Sequence, residues 1–213
     1  MRLGLFGGTF DPVHAGHVAM ARQAREELAL DRVLLLPTAI PPHKQAQRTP
    51  ALRRFVMVEL ALLDEPGLFA ADHEMQHDRP SYAVDTLEHF RGAGPGVELY
   101  YLLGMDSLAE LPTWRRWREL PGLARLVVLR RPGHRRARIV EGSPPEIRAA
   151  IESGRILLLD NPRWDLSSTE IRECLSRRET PSPEQLHPRV LDYVRRYRLY
   201  DEEPTPLELD LRR

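Results

Sequence analysis

Two segments of this 213-residue chain concentrate the residue types that handle phosphate. The first runs from Gly7 to His17 and reads GGTFDPVHAGH. Gly7 and Gly8 let the backbone come close to a ligand, Thr9 and Phe10 offer N–H groups, and a helix starting near His14 turns its positive end toward an anion. His14 and His17 share one face of that helix, with Gly16 between them leaving room for a bulky ligand. Two imidazoles aimed at a phosphate can donate hydrogen bonds where charge develops. The same pattern also suits a plain strand-to-helix turn whose histidines cap or pack. HxxH can bind zinc as well, although the chain offers neither a Cys pair nor HExxH.

The second segment is LSSTEIR, Leu166 to Arg172. Ser167, Ser168 and Thr169 can cap a helix or bond phosphate oxygens, and Arg172 one turn on adds a planar cationic fork. Ordinary N-capping is the competing reading. Taken with the first segment, the two look like sites for the two ends of a triphosphate. Between them PTAIPPHK places His43 and Lys44 on a loop stiffened by Pro37, Pro41 and Pro42, where a cation suits a substrate phosphate. Thr86 adds a hydroxyl, Asp106 a carboxylate able to accept from a ribose, and Trp114 or Trp117 a ring that either stacks on a base or sits in the core.

Composition limits what these residues can serve. Lys plus Arg number 31 and Asp plus Glu 31, so net charge is zero, and with a pI near 7.1 the argument for nucleic acid as partner falls away. Any phosphate site must be local. No apolar run is long enough for a membrane span or signal-peptide core, and Cys174, the single cysteine, makes no internal disulfide. A reducing cytoplasm is the natural compartment.

The elements that must position these residues are legible as alternating patterns. Buried-strand runs appear at LGLF near Leu3, RVLLLP at 32–37, ELYYLL at 98–103, RLVVLR at 125–130 and RILLLD at 155–160. HVAMARQAREELAL, ALRRFVMVELALL, SYAVDTLEHF, PPEIRAAIES and SSTEIRECLS show apolar residues at helical spacing with charges on the other face. Alternation of this kind predicts an α/β fold: a Rossmann-like, doubly wound, mostly parallel sheet with helices on both faces and ligands at the strand carboxyl ends. Gln185 to Tyr200 reads as a final amphipathic helix. Residues 1–200 read as a single domain and 201–213 as a loose tail.

GGTFDPVHAGH with its HxGH core, PPHK, RPSYAVDTL, GMDSLAELPTW, RRPG and SSTEIR, in this order, resemble the bacterial nicotinate-nucleotide adenylyltransferases of the HxGH nucleotidyltransferase superfamily. The resemblance implies transfer of AMP from ATP to nicotinate mononucleotide with Mg²⁺, giving deamido-NAD and pyrophosphate. It implies that His14, His17, Ser168, Thr169 and Arg172 hold the ATP phosphates, beside the backbone of Gly7, Gly8, Thr9 and Phe10, with His14, His17 and Arg172 catalytic. Lys44 with His43 would hold the mononucleotide phosphate, Thr86 and Trp114 the nicotinate, and Asp106 a ribose. Arg131 to Gly133 would border the adenine. This chain departs from the family pattern at Ala83, often Thr there, and at Arg115, often aromatic. Rival readings are a sister transferase acting on phosphopantetheine or glycerol phosphate, a class I aminoacyl-tRNA synthetase, which needs a much longer chain, and an ATP-binding sensor without turnover. Homo-oligomer formation is left open.

Overall fold

The computed structural model describes residues 1–41, 49–92, 94, 96–130, 136–160 and 166–201. In chain order the elements are β1 (Arg2–Gly8), α1 (Ala15–Glu27), β2 (Arg32–Pro37), α2 (Ala51–Leu62), β3 (Leu68–Ala70), α3 (Ala83–Arg91), β4 (Glu98–Gly104), α4 (Met105–Glu110) and α5 (Leu120–Leu123). They continue with β5 (Arg125–Arg130), α6 (Arg136–Gly142), α7 (Pro145–Glu152), β6 (Ile156–Asp160), α8 (Ser168–Ser176) and α9 (Pro188–Arg196). Every strand pairing is parallel, and the sheet order is β3-β2-β1-β4-β5-β6. The predicted doubly wound sheet is therefore present, and it is parallel throughout.

Alternation along each strand divides the core in two. Phe6, Val33, Leu35, Tyr100, Leu102, Val127 and Leu129 point to one face, where α1, α2, α8 and α9 bring Val18, Met57, Ile171 and Val190. Leu5, Leu36, Tyr101, Leu103, Leu126 and Val128 point to the other, under Val84 and Leu87 of α3, Leu108 of α4 and Ile147 of α7. With both faces covered, the central strands can be apolar almost without interruption, which is why they read as continuous runs.

Several elements differ from the sequence reading: the short helices α4, α5 and α6 are absent from it, and two further differences have a clear physical cause. β3 is a three-residue edge strand, LFA, too short to raise a periodic signal. The last helix is shorter than Gln185 to Tyr200. Pro188 at its first position drives His187 to extended backbone (ψ 134°), and the helix closes through Arg198 at φ 51°, with amides of Arg198 and Leu199 returning to the carbonyls of Arg195 and Val194. Leu186, just before it, is fully buried.

The chain winds outward from β1 to β3, then returns to β4 on the other side of β1. Such a reversal leaves a crevice at the carboxyl ends of β1 and β4, since their following connections leave on opposite faces. Both GGTFDPVHAGH and GMDSLAELPTW start there.

Candidate active site

β1 ends in Gly7 and Gly8 because neighbouring rings leave no space for a side chain. A Cβ on Gly7 would lie 2.6 Å from the Tyr101 hydroxyl, and one on Gly8 would lie 2.7 Å from the Phe10 ring. Phe10 takes φ 49°, which turns its ring inward to 2 % exposure, edge-on to Phe6 at 5.6 Å and to His17 at 5.1 Å. His14 is the N-cap of α1, and His17 stands one turn on.

The two imidazoles face each other, ring centroids 3.7 Å apart. His17 Nδ1 accepts from the His14 backbone N–H at 3.3 Å, which places its own proton on Nε2. His14 Nδ1 is buried with no hydrogen-bond partner among the described residues. Burial lowers His14 to about 4, against a small opposing pull from Glu170. His17 is lowered well below its ordinary value, by burial first and by His14 second. At neutral pH both rings are uncharged, each with one donor and one acceptor nitrogen.

The N-terminus of α8 docks directly onto this turn. Ser167 forms a reciprocal capping box with Glu170, which frees Ser168 to donate to the Pro12 carbonyl at 2.9 Å. Arg172 donates through Nη1 to the Asp11 carbonyl at 2.6 Å and through Nη2 to Thr169 Oγ1 at 3.1 Å. The two phosphate-type segments, separated in sequence by most of the chain, thus form one continuous surface. Thr169 is exposed beside it.

Residues placed at the β4 side are arranged differently. Asp106 is exposed in the first turn of α4, without a hydrogen-bond or ion-pair partner among the described residues. Trp114 is half-buried, edge-on to Tyr101 at 6.4 Å, whereas Trp117 is 9 % exposed and belongs to the core. Tyr101 links the two sides, since its hydroxyl abuts Gly7 and its ring meets Trp114. Burial, with the Glu74 charge second, holds its phenol well above the ordinary range, so it stays protonated. Arg115 lies over the Tyr82 ring at 4.8 Å. Thr86 does not present a free hydroxyl: it is 2 % exposed and donates to Glu74 Oε1 at 3.0 Å. A buried carboxylate needs that donor more than a ligand does. His43, Lys44, Arg131 and the tail after Asp201 lie outside the described residues.

Three further residues carry the site and gave no signal in sequence. Arg54 looks like a solvated charge on an amphipathic helix, yet it is fully buried. Its guanidinium donates to the carbonyls of Thr49 (3.0 Å), Thr9 (2.7 Å) and Thr38 (2.7 Å), tying the first turn to the end of β2. Burial pulls it below the ordinary arginine range, while Asp11 pulls it back. Glu74 is pushed up, chiefly by burial, and its Oε2 has no hydrogen-bond partner among the described residues. Asp11 is 4 % exposed and accepts from the Tyr200 hydroxyl.

A parallel 3-2-1-4-5-6 sheet, with a glycine turn and two neutral imidazoles at its switch point, defines a nucleotide-handling α/β enzyme. The signature of the cytidylyltransferase-like family matches residues 5–174. A Shewanella sp. (strain MR-7) protein named "Probable nicotinate-nucleotide adenylyltransferase" is 38% identical, over 94% of this chain and 99% of its own. One of the same name from Solibacter usitatus is 42% identical, over 94% of this chain and 100% of its own. Among solved structures, Plasmodium falciparum nicotinic acid mononucleotide adenylyltransferase complexed with NaAD shares the fold at TM-score 0.75 and 19% identity, covering 93% of this chain and 97% of that one. The chain belongs to the cytidylyltransferase-like family of nucleotidyltransferases and, within it, to the nicotinate-nucleotide adenylyltransferases. No helix among the described residues is long and apolar enough to cross a membrane.

Proposed function

We propose that the chain transfers the adenylyl group of ATP to nicotinate mononucleotide, giving nicotinate adenine dinucleotide and pyrophosphate in NAD biosynthesis. The observation that supports this reading is the junction of Ser168 and Arg172 with the Pro12 and Asp11 carbonyls, which joins the two distant segments into one surface.

A phosphate oxygen of the mononucleotide attacks the α-phosphorus of ATP in line. The new P–O bond forms as the bond to the β-phosphate oxygen breaks, and its electron pair leaves with pyrophosphate. The attacking group is already an anion, so no protein nucleophile is required, and catalysis consists of positioning and charge stabilisation. His17 donates its Nε2–H and His14 one ring N–H to phosphate oxygens. Being neutral, the rings enter the site without the cost of burying a cation. Arg172 keeps N–H groups beyond those spent on Asp11 and Thr169, and these serve the leaving phosphates. Thr169 and the α8 N-terminus add donors.

On the acceptor side Asp106 takes a ribose hydroxyl and Trp114 offers a face to the pyridine. His43 and Lys44 hold the mononucleotide phosphate, and Arg131 borders the adenine. Thr86 acts through Glu74 as part of the pocket wall. Among the described residues no group of three or more His, Cys, Asp or Glu side chains is placed to hold a metal ion. ATP would enter as its magnesium complex, the ion held by the nucleotide's own phosphates and water. When bound, the ion neutralises triphosphate charge. With Cys174 as a lone thiol, we place the reaction in the cytoplasm.

The test is pyrophosphate release from Mg-ATP with nicotinate mononucleotide, nicotinamide mononucleotide or phosphopantetheine as acceptor. Release with nicotinate mononucleotide is the expected result. Release with phosphopantetheine alone would move the chain to a sister transferase, and binding of ATP without release to any acceptor would make it a sensor.

A further inference from the structure

The end of the described chain closes onto the nucleotide turn. Two residues beyond the left-handed Arg198, Tyr200 takes φ 71°, a conformation bulky residues seldom adopt and that surrounding structure must hold in place. The bend folds the ring against the core beside α2. There the Tyr200 hydroxyl donates to Asp11 Oδ1 at 2.6 Å, with Met57 Sδ 4.0 Å away. Burial first, and the Asp11 charge second, keep the phenol protonated well above neutral pH, so it is always available as a donor.

Asp11 sits at a mechanical centre of the site. Phe10 before it is in the left-handed region, and the Asp11 carbonyl accepts from the Arg172 guanidinium at 2.6 Å. A carboxylate this buried needs donors. Arg54, whose charge Asp11 favours, spends its donors on carbonyls instead. The adenylyl-transfer chemistry above uses neither the Asp11 carboxylate nor Tyr200.

We propose that Tyr200 is a positioning residue, its hydroxyl holding the Asp11 carboxylate so that the Phe10–Asp11 turn keeps Arg172 and the N-terminus of α1 in register for phosphoryl chemistry. The bond is a short O–H to carboxylate contact, the strong kind. Losing it frees Asp11 to rotate, and a shift of Asp11 carries its carbonyl, and with that the Arg172 guanidinium, off line. The C-terminal segment is then part of the active site rather than a packing strap. The inference rests on the adenylyl-transfer reading for its kinetic consequence, but not for its structural one.

The test compares full-length wild type, Y200F and Y193F. The Tyr193 hydroxyl, on the same terminal segment, accepts from Arg53 at 3.1 Å, with no hydrogen bond to the turn among the described residues, so its loss serves as control. In Y200F, amide hydrogen exchange in the peptide covering residues 9–17 should quicken by about tenfold, and kcat should fall by about tenfold with the KM for ATP nearly unchanged. Y193F should do neither. D11N keeps an accepting oxygen but removes the charge that makes the Tyr200 bond strong, and the Y200F/D11N double variant should be no slower than the poorer single variant, because both act on one bond. Unchanged exchange in Y200F, equal losses in Y193F, or multiplying losses in the double variant would overturn the proposal. Wild type inactive with nicotinate mononucleotide, yet with exchange responding to Y200F, would remove the substrate reading and leave the positioning role standing.

Discussion

Between Thr9 and Pro12 the β1–α1 turn receives donors from Arg54, Tyr200, Arg172 and Ser168, drawn from three other parts of the chain, while Asp106 at the end of neighbouring β4 receives none from the described residues. The histidine side is buried and tied, and its rings are uncharged. On the β4 side, to which the acceptor is assigned by proposal, Asp106 and Arg115 are exposed, and Trp114 is half-buried. The contrast fits the roles proposed for each side. Stabilising charge that develops on transferred phosphates calls for donors fixed in advance, because reorganisation during reaction would cancel the gain. Admitting and releasing a second substrate calls for an open rim.

Three changes bear on this contrast. The largest effect is expected for His17→Ala, which removes a fixed donor: kcat should fall by about 10³-fold with little change in either KM. Raised KM values with unchanged turnover, in steady-state assays, would mean that the tied side merely binds.

Next comes acid. Because the folded His14 is lowered to about 4, the unfolded chain takes up its proton first as pH falls below the ordinary histidine value near 6.5. The stability contributed by keeping this ring neutral is therefore full above pH 6.5 and lost progressively down to about pH 4. At roughly 1.4 kcal/mol per pH unit it amounts to about 3 kcal/mol. Urea unfolding at stepped pH should show a slope to which His14 and the equally neutral His17 both contribute, and His14→Gln should reduce it. An unaltered slope in the variant would mean that other groups set the acid limit.

The smallest effect belongs to the open side. Asp106→Asn keeps an acceptor and a donor on an exposed residue, so the acceptor KM should rise about threefold, with kcat and melting temperature held, as befits a solvated hydrogen bond of about 1 kcal/mol or less. A large fall in kcat would show the rim to be as finely set as the histidine side.

Much of the site was legible in the residues themselves. Gly7, Gly8, His14 and His17 point to a close-approach turn because glycines at a strand end let the backbone come near a ligand and imidazoles three apart share one helical face. Arg54 was not legible, since an arginine in an amphipathic helix is ordinarily solvated, and only a concentration of inward-facing carbonyls makes its burial favourable. Thr86 was read toward a ligand, but Glu74 lies close enough to claim its hydroxyl. Tyr200 lay at the end of a periodic pattern that gave no hint of a left-handed bend turning its ring back to the site.

The sequence by itself determined the alternation of strand and helix, the parallel sheet and the residue types of the two segments proposed to hold phosphate, because these depend on local periodicity and on residue chemistry. Only the tertiary structure decided that the segments touch. Ser168 and Pro12 are 156 residues apart, Tyr200 and Asp11 are 189 apart, and no local preference encodes such pairs. They meet because α8 and α9 bury their apolar stripes on the same sheet face as α1 and α2, and that burial carries their polar ends to the mouth of β1.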